Sequence, residues 1–174
     1  REIKRAKEGR KALMIIKMNS LVDDQMMDKL YEASQAGVKV KLIIRGICSI
    51  KPGIPGLSDN IEAISIVDKF LEHSRIFYFY NSGEESMYIS SADWMVRNLD
   101  RRIEVTAPVY DPNIKQELKH MLDLQLKDNV KARILDDVQD NKYVRNNKKK
   151  IRAQDAYYYY LKRRNRYISK QNDT

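Results

Sequence analysis

Apolar and polar positions along the chain switch between two periods, and the switches mark the elements. Ala12–Met18 is a nearly continuous apolar run, the pattern of a strand covered on both faces. Asn19 and Ser20 then offer a cap. Val22, Met26, Met27, Leu30, Tyr31 and Ala33 share one face of a helix over Val22–Ala36, with Gly37 where a helix C-terminus favours glycine. Val38–Ile44 alternates and then turns wholly apolar, a second strand. A strand, a helix and a strand in this order predict a parallel pair with a right-handed crossover. Residues 46–60 gather Gly46, Pro52, Gly53, Pro55 and Gly56 into a long loop at the carboxyl end of the second strand, where open α/β sheets bind ligands. Ala63–Val67 and Arg75–Tyr80 read as strands, and the turn Asn81–Ser86 joins the latter to Met87–Ser90 in a hairpin. Arg102–Pro108 is predicted as a strand. Asp111 and Pro112 open a helix that runs to Lys127. Ile134 and Leu135 end a last short strand, and Lys148–Arg164 form a basic helix. The fold class predicted is α/β, with a mixed, largely parallel sheet flanked by helices.

Composition changes this picture in two places. Hydrophobic residues are 43% of the 174 and charged residues 33%, enough for one core, and no apolar run is long enough to span a bilayer. Cys48 is the only cysteine, so no intrachain disulfide can form, and a reducing compartment is expected. The net charge of +9 is not spread evenly. Residues 1–140 hold 22 Lys and Arg against 22 Asp and Glu, whereas residues 141–174 hold 11 against 2 and six of the eleven tyrosines. The chain divides into a near-neutral domain over 1–140 and a basic, tyrosine-rich helical tail over 141–174. This is not the charge distribution of a uniformly basic nucleic-acid-binding fold, and no specific nucleic-acid partner is expected. Arg1–Lys7 is charged and helical in character rather than a signal peptide, and the chain lacks an initiating methionine, so a piece of a longer protein is expected.

Few residues can carry chemistry. His120 lies inside the helix from Asp111 and reads as a solvated position. His73 stands immediately before an apolar strand with Arg75 two residues on, which puts imidazole and guanidinium on the same side of an extended chain. Such a pair suits a phosphate, the arginine as a clamp and the histidine as a donor or proton carrier. A satisfied structural histidine is the alternative. Arg45 ends a buried strand before Gly46, so its charge must enter the loop mouth or pair with Asp59 or Glu62. Tyr88–Met95 and Asn98–Glu104 concentrate hydroxyls, carboxylates and arginines between two strands. Absent are a phosphate-binding G-x-x-x-x-G-K-[ST] loop, a G-x-S-x-G elbow and any zinc spacing. The pairs Asp23-Asp24 and Asp136-Asp137 read as solvated rather than as Mg²⁺ ligands. Cys48 reads as a free thiol with a packing role.

In order along residues 10–135, Asn19–Asp23, Leu30–Gly37, Leu42–Cys48, Pro52–Ser58, Ile64–Val67, Phe70–Ile76, Ile89–Met95 and Asn98–Glu104 resemble the carboxyl-terminal part of bacterial polyphosphate kinases. The resemblance implies a phospholipase-D-like fold, in which two such domains each give one histidine to a shared site. Here His73-Ser74-Arg75 stands where the wider superfamily has His-x-Lys. It implies reversible transfer of the terminal phosphoryl group of ATP to inorganic polyphosphate, through a phosphohistidine in a preceding domain. Mg²⁺ is expected as cofactor, with its ligands outside this chain. His73 is carried over as a catalytic and phosphate-binding residue and Arg45 as a nucleotide-binding one, with Arg75, Asp93, Arg101 and Arg102 as further candidates. Implied partners are ATP or ADP, polyphosphate, the preceding domains and further copies of the full-length protein. The location expected is cytoplasmic, with a peripheral position at the inner membrane open. Asp68-Lys69 and Val96 depart from the family pattern, and Asp68 places a negative charge near an anion site. Two alternatives stand beside this reading: a phospholipase-D-type phosphodiesterase or transferase completed by dimerisation, and a non-enzymatic polyanion-binding module working through 141–174.

Overall fold

The computed structural model describes residues 1–172, with side chains as far as Arg166; positions 173–174 of the basic tail lie outside the described residues. In chain order the elements are α1 (Glu2–Lys7), β1 (Leu13–Met18), α2 (Asp24–Gln35), β2 (Lys39–Ile44), β3 (Ile61–Ile66), β4 (Arg75–Phe79), β5 (Ser86–Ser90), α3 (Val96–Leu99), β6 (Thr106–Pro108), α4 (Pro112–Leu126), β7 (Ala132–Leu135) and α5 (Ala153–Asn172). The strands form one sheet in the order β6-β5-β4-β1-β2-β3-β7. It is mixed, as expected, but not largely parallel: only β1–β2 and β2–β3 pair parallel, and the other four pairings are antiparallel. A hairpin extends the short parallel centre on one side, and on the other β7 is added after α4 crosses the sheet from β6.

Side-chain alternation on β1 and β2 serves two layers. Ile16, Met18, Leu42 and Ile44 bury one face against Leu30 and Ala33 of α2, while Ile15 and Ile43 join Ile76, Tyr78 and Leu122 of α4 on the other. The helices start where their caps dictate. The Asp23 carboxylate accepts from the Met26 amide at 3.0 Å, and Asp111 accepts from the amides of Asn113 and Ile114 ahead of Pro112. Gly37, with φ +94°, ends the α2 turn in a conformation side chains disfavour.

Two predicted elements are shorter than the sequence suggested. Of Arg102–Pro108 only Thr106–Pro108 is strand. Glu104 instead turns its carboxylate to Ser91 and Asn98, leaving Ile103 fully exposed. The basic helix begins at Ala153 rather than Lys148. The Asn129 side chain holds the Lys149 carbonyl and the Ile151 amide in a non-helical course, and buried Asp128 accepts from the Ala153 amide at 2.7 Å. The segment beyond residue 140 is thus bonded into the body, and Val144 donates to the Ala132 carbonyl beside β7. His120 is not a solvated position, since its ring packs on Tyr160 of α5 with centroids 4.3 Å apart.

Candidate functional site

The site forms at the end of the sheet where β1 and β2 finish and β4 begins. In the antiparallel register Lys17 lies opposite Ile76, so the loop 67–74 and the start of β4 rise over the end of β1. Asp93, following β5, is the hub. Its Oδ1 accepts from the backbone amides of Asn19 at 2.8 Å and Ser20 at 3.2 Å, and its carboxylate accepts two hydrogen bonds from Arg75, Nε at 3.1 Å and Nη2 at 2.9 Å. Burial pushes the Asp93 carboxyl up, but Arg75 and the two amides outweigh it and hold it below the ordinary carboxylate range. The buried Asn19 amide group donates to Asp93 and, through Oδ1, accepts from Arg45 Nε at 2.8 Å. Arg45, Asn19, Asp93 and Arg75 form one chain of hydrogen bonds across three strand ends.

His73 is exposed at the mouth of this chain. Its Nε2 lies 3.2 Å from Arg75 Nη2, and its carbonyl accepts from Arg75 Nη1 at 3.2 Å. A guanidinium can only donate, so Nε2 is the acceptor here and the ring proton sits on Nδ1. Beneath it, Lys17 is buried, with Nζ donating to the Ser74 carbonyl at 3.3 Å and standing 3.6 Å from Glu72. Burial pushes the Lys17 ammonium below the usual lysine value; Glu72 opposes this, and the charges of Arg45 and Arg75 add to the depression. Three cations therefore lie close enough to act on one another, and one of them, Arg75, reaches the exposed imidazole. Gly46 completes the mouth: a Cβ there would lie 3.1 Å from the Asn19 carbonyl, which the Gly46 amide contacts at 2.7 Å.

Of the residues singled out in the sequence, His73, Arg75, Arg45 and Asp93 come together. Arg45 forms no ion pair with Asp59 or Glu62; Glu62 pairs with Lys41 and Asp59 accepts from the Gly56 amide. Nη1 and Nη2 of Arg45 have no partner among the described residues. Arg75 is placed differently from a phosphate clamp, because its bidentate edge is occupied by Asp93. Arg101 and Arg102 are exposed in the turn after α3 and enter no ion pair among the described residues. Asp68 does not burden the site with free negative charge, being held by Arg152 at 2.6 and 2.8 Å. Cys48 is half-buried, its thiol pushed up to about 11 by burial. Lys17, Asn19 and Glu72 were not singled out. The available signal for Lys17 was a charge inside an otherwise apolar strand.

These residues do not fit Mg²⁺. Asp93 is consumed by Arg75, Asn19 and Ser20, and Glu72 by Lys17, Gln125 and Gln154. Among the described residues no group of three or more His, Cys, Asp or Glu side chains could hold a metal. Asp23 is a helix cap and Asp136 caps the Gln139 amide.

A mixed seven-stranded sheet with helices packed on its faces defines a class of fold. Nuc from Salmonella typhimurium, a phospholipase D family member, shares it with a TM-score of 0.55 at 12% identity, over 78% of this chain and 88% of that one. Within that class the relationship is specific. The family described as polyphosphate kinase C-terminal domain 2 matches residues 1–154, and the chain belongs to it. The polyphosphate kinases of Vibrio vulnificus and Escherichia coli K12 are 52% and 50% identical over 98% and 93% of the chain. The crystal structure of the Porphyromonas gingivalis polyphosphate kinase superposes with a TM-score of 0.91 at 48% identity, over 94% of this chain and 25% of that one. The chain spans about a quarter of the length of the curated relatives it matches.

Proposed function

We propose that this chain supplies one half of a polyphosphate kinase active site, where the terminal phosphoryl group of ATP passes reversibly to inorganic polyphosphate. The observation that supports it best is the pairing of a partnerless guanidinium edge on Arg45 with an exposed His73 above buried positive charge. In this reading Arg45 Nη1 and Nη2 take phosphate oxygens of the nucleotide as a two-pronged clamp. Lys17 and Arg75 stay behind as fixed charge. They are held by Glu72 and Asp93 before substrate arrives, so negative charge building on the transferring oxygens meets dipoles already oriented. His73 binds phosphate and gives or takes a proton once its ring turns from Arg75.

The phosphorylated histidine is assigned to a preceding domain, and Mg²⁺ to ligands outside this chain. Val67, Phe70, Leu71, Ile103 and Val105 expose apolar side chains around the same end of the sheet, a surface that suits the preceding domains of the same polypeptide. Full-length copies are proposed to associate with one another. Among the described residues no helix is long and apolar enough to cross a membrane. We place the protein in the cytoplasm, with the basic tail able to lie against an anionic membrane surface.

The test is to supply ADP, long-chain polyphosphate and Mg²⁺ and follow ATP by luminescence. The longer polypeptide containing these residues is expected to make ATP, the isolated chain none. ATP made by the isolated chain and lost in His73→Ala would overturn the split site and make His73 the phosphorylated nucleophile.

A further inference from the structure

The loop 67–74, which carries His73, has no regular secondary structure and little apolar anchorage: Val67 is 70% exposed, Phe70 60% and Leu71 74%. Its end is held by Arg75 on His73 and by Lys17 on the Ser74 carbonyl, and residues 68–72 ahead of it by three polar attachments. At one end Arg152 grips Asp68 with two hydrogen bonds, Nε to Oδ2 at 2.8 Å and Nη2 to Oδ1 at 2.6 Å. In the middle the Gln154 side chain meets both backbone groups of Phe70, accepting from its amide at 2.9 Å and donating to its carbonyl at 2.8 Å. At the other end Gln154 Nε2 also donates to Glu72 at 3.0 Å, and Glu72 contacts Gln125 of α4 and Lys17 of β1.

All three attachments lead to residues 152–154 at the start of α5. That start is itself immobilised, because the buried Asp128 carboxylate takes the Ala153 amide on one oxygen and the amides of Val130, Lys131 and Ala132 on the other. The primary amide of Gln154 copies the pairing of a neighbouring strand, one donor and one acceptor against one residue, so it sets the height and tilt of the loop rather than merely touching it. The two residues after Glu72 are His73 and Ser74, whose carbonyl receives Lys17.

We propose that Gln154 and Arg152 are positioning residues that fix the loop carrying His73 against Arg75 and Lys17, so that the tail helix is part of the active-site framework. The proposal rests on the role given to His73 above. Displacement of a reacting group by about 1 Å can cost on the order of 100-fold in rate, whereas Arg45 directly follows β2 and is held by Asn19 rather than by α5.

The experiment measures ATP formation from polyphosphate and ADP by the full polypeptide that contains this chain. Gln154→Ala is expected to lower kcat by about 10- to 100-fold with KM for ADP changed less than about 3-fold. Gln154→Glu, which keeps the acceptor for the Phe70 amide but sets a carboxylate oxygen against the Phe70 carbonyl and Glu72, is expected to fall at least as far. Asn165→Ala, on an exposed position of the same helix, is expected to match the wild type. Arg152→Ala is expected to lower kcat by about 10-fold or more, and Arg152→Lys, which keeps a charge for Asp68, to recover part of it. That pair answers the question if Gln154→Ala melts below the assay temperature. Unchanged kcat in a folded Gln154→Ala or Arg152→Ala protein would overturn the proposal. No ATP from the wild-type polypeptide would overturn the functional reading itself.

Discussion

Arg75 and Asp93 face each other through two parallel hydrogen bonds, Nε to Oδ1 at 3.1 Å and Nη2 to Oδ2 at 2.9 Å, with both side chains almost fully buried. The planar fork of arginine matches a carboxylate in this way and the point charge of lysine does not. An arginine two residues after the histidine therefore serves to lock β4 to the turn after β5, while still reaching His73.

Breaking that pair on the acidic side gives the first prediction. Asp93→Asn leaves a buried guanidinium without its counter-charge and is expected to cost about 3–5 kcal/mol of stability, read as a lower denaturant midpoint. The pH dependence has a defined sign. The native Asp93 carboxyl lies below its unfolded value of about 3.9, so its contribution is complete above that pH and is lost as the pH falls through the native value. The wild type should lose stability across that acid window more steeply than Asp93→Asn.

Arg45→Ala removes the two nitrogens without partners and leaves Asn19 held by Asp93. KM for ADP is expected to rise about 10- to 100-fold, the loss of a charge-assisted pair of hydrogen bonds worth roughly 1.5–3 kcal/mol. The melting temperature should move little. Arg45→Lys keeps the charge and should recover only part of the affinity.

Lys17→Met separates charge from packing. Glu72 retains Gln125 and Gln154 as donors, so the variant is expected to melt within a few degrees of the wild type while ATP formation falls at least about 10-fold. The alkaline limb supplies a second readout. Between the depressed native value and about 10.4 the unfolded chain binds the extra proton, so Lys17 makes wild-type stability rise with pH there. The methionine variant should lack that rise.

Gly46→Ala introduces a Cβ at 3.1 Å from the Asn19 carbonyl. Asn19 is tied to Asp93 and Arg45, so it cannot retreat without moving both. The expected cost is about 1–3 kcal/mol in stability, with a larger relative fall in activity than an equally destabilising change in α2, such as Leu30→Val.

The sequence makes some of this legible. β1, α2 and the β4–β5 hairpin are read because the signals are local: an apolar run, a helical face ending at a glycine, a turn; the cap of α2 is Asp23 and not the expected Asn19 or Ser20. Residues 102–105 mislead because the Glu104 side chain, satisfied by Ser91 and Asn98, outcompetes a strand ladder that periodicity alone would favour. The start of α5 is set by Asn129 and Asp128, more than twenty residues earlier, and no helix rule contains that information. Within the site, His73 and Arg45 stand out as charged or titratable residues at strand ends. Asp93 is a candidate too, but its place as hub is not legible, because Asn19 and Asp93 meet across 74 residues of chain. Lys17 shows only as an interruption in an apolar run, which is how a buried lysine looks before its carboxylate is known.

The clamp of Gln154 on Phe70 spans 84 residues of sequence. During synthesis the sheet can close as soon as β7 leaves the ribosome, but residues 68–72 ahead of the histidine lack the contacts to Arg152 and Gln154 until the first turn of α5 follows. The contacts that hold this loop are thus among the last to form, and a nascent chain halted before residue 152 would have its sheet without the strap that holds residues 68–72.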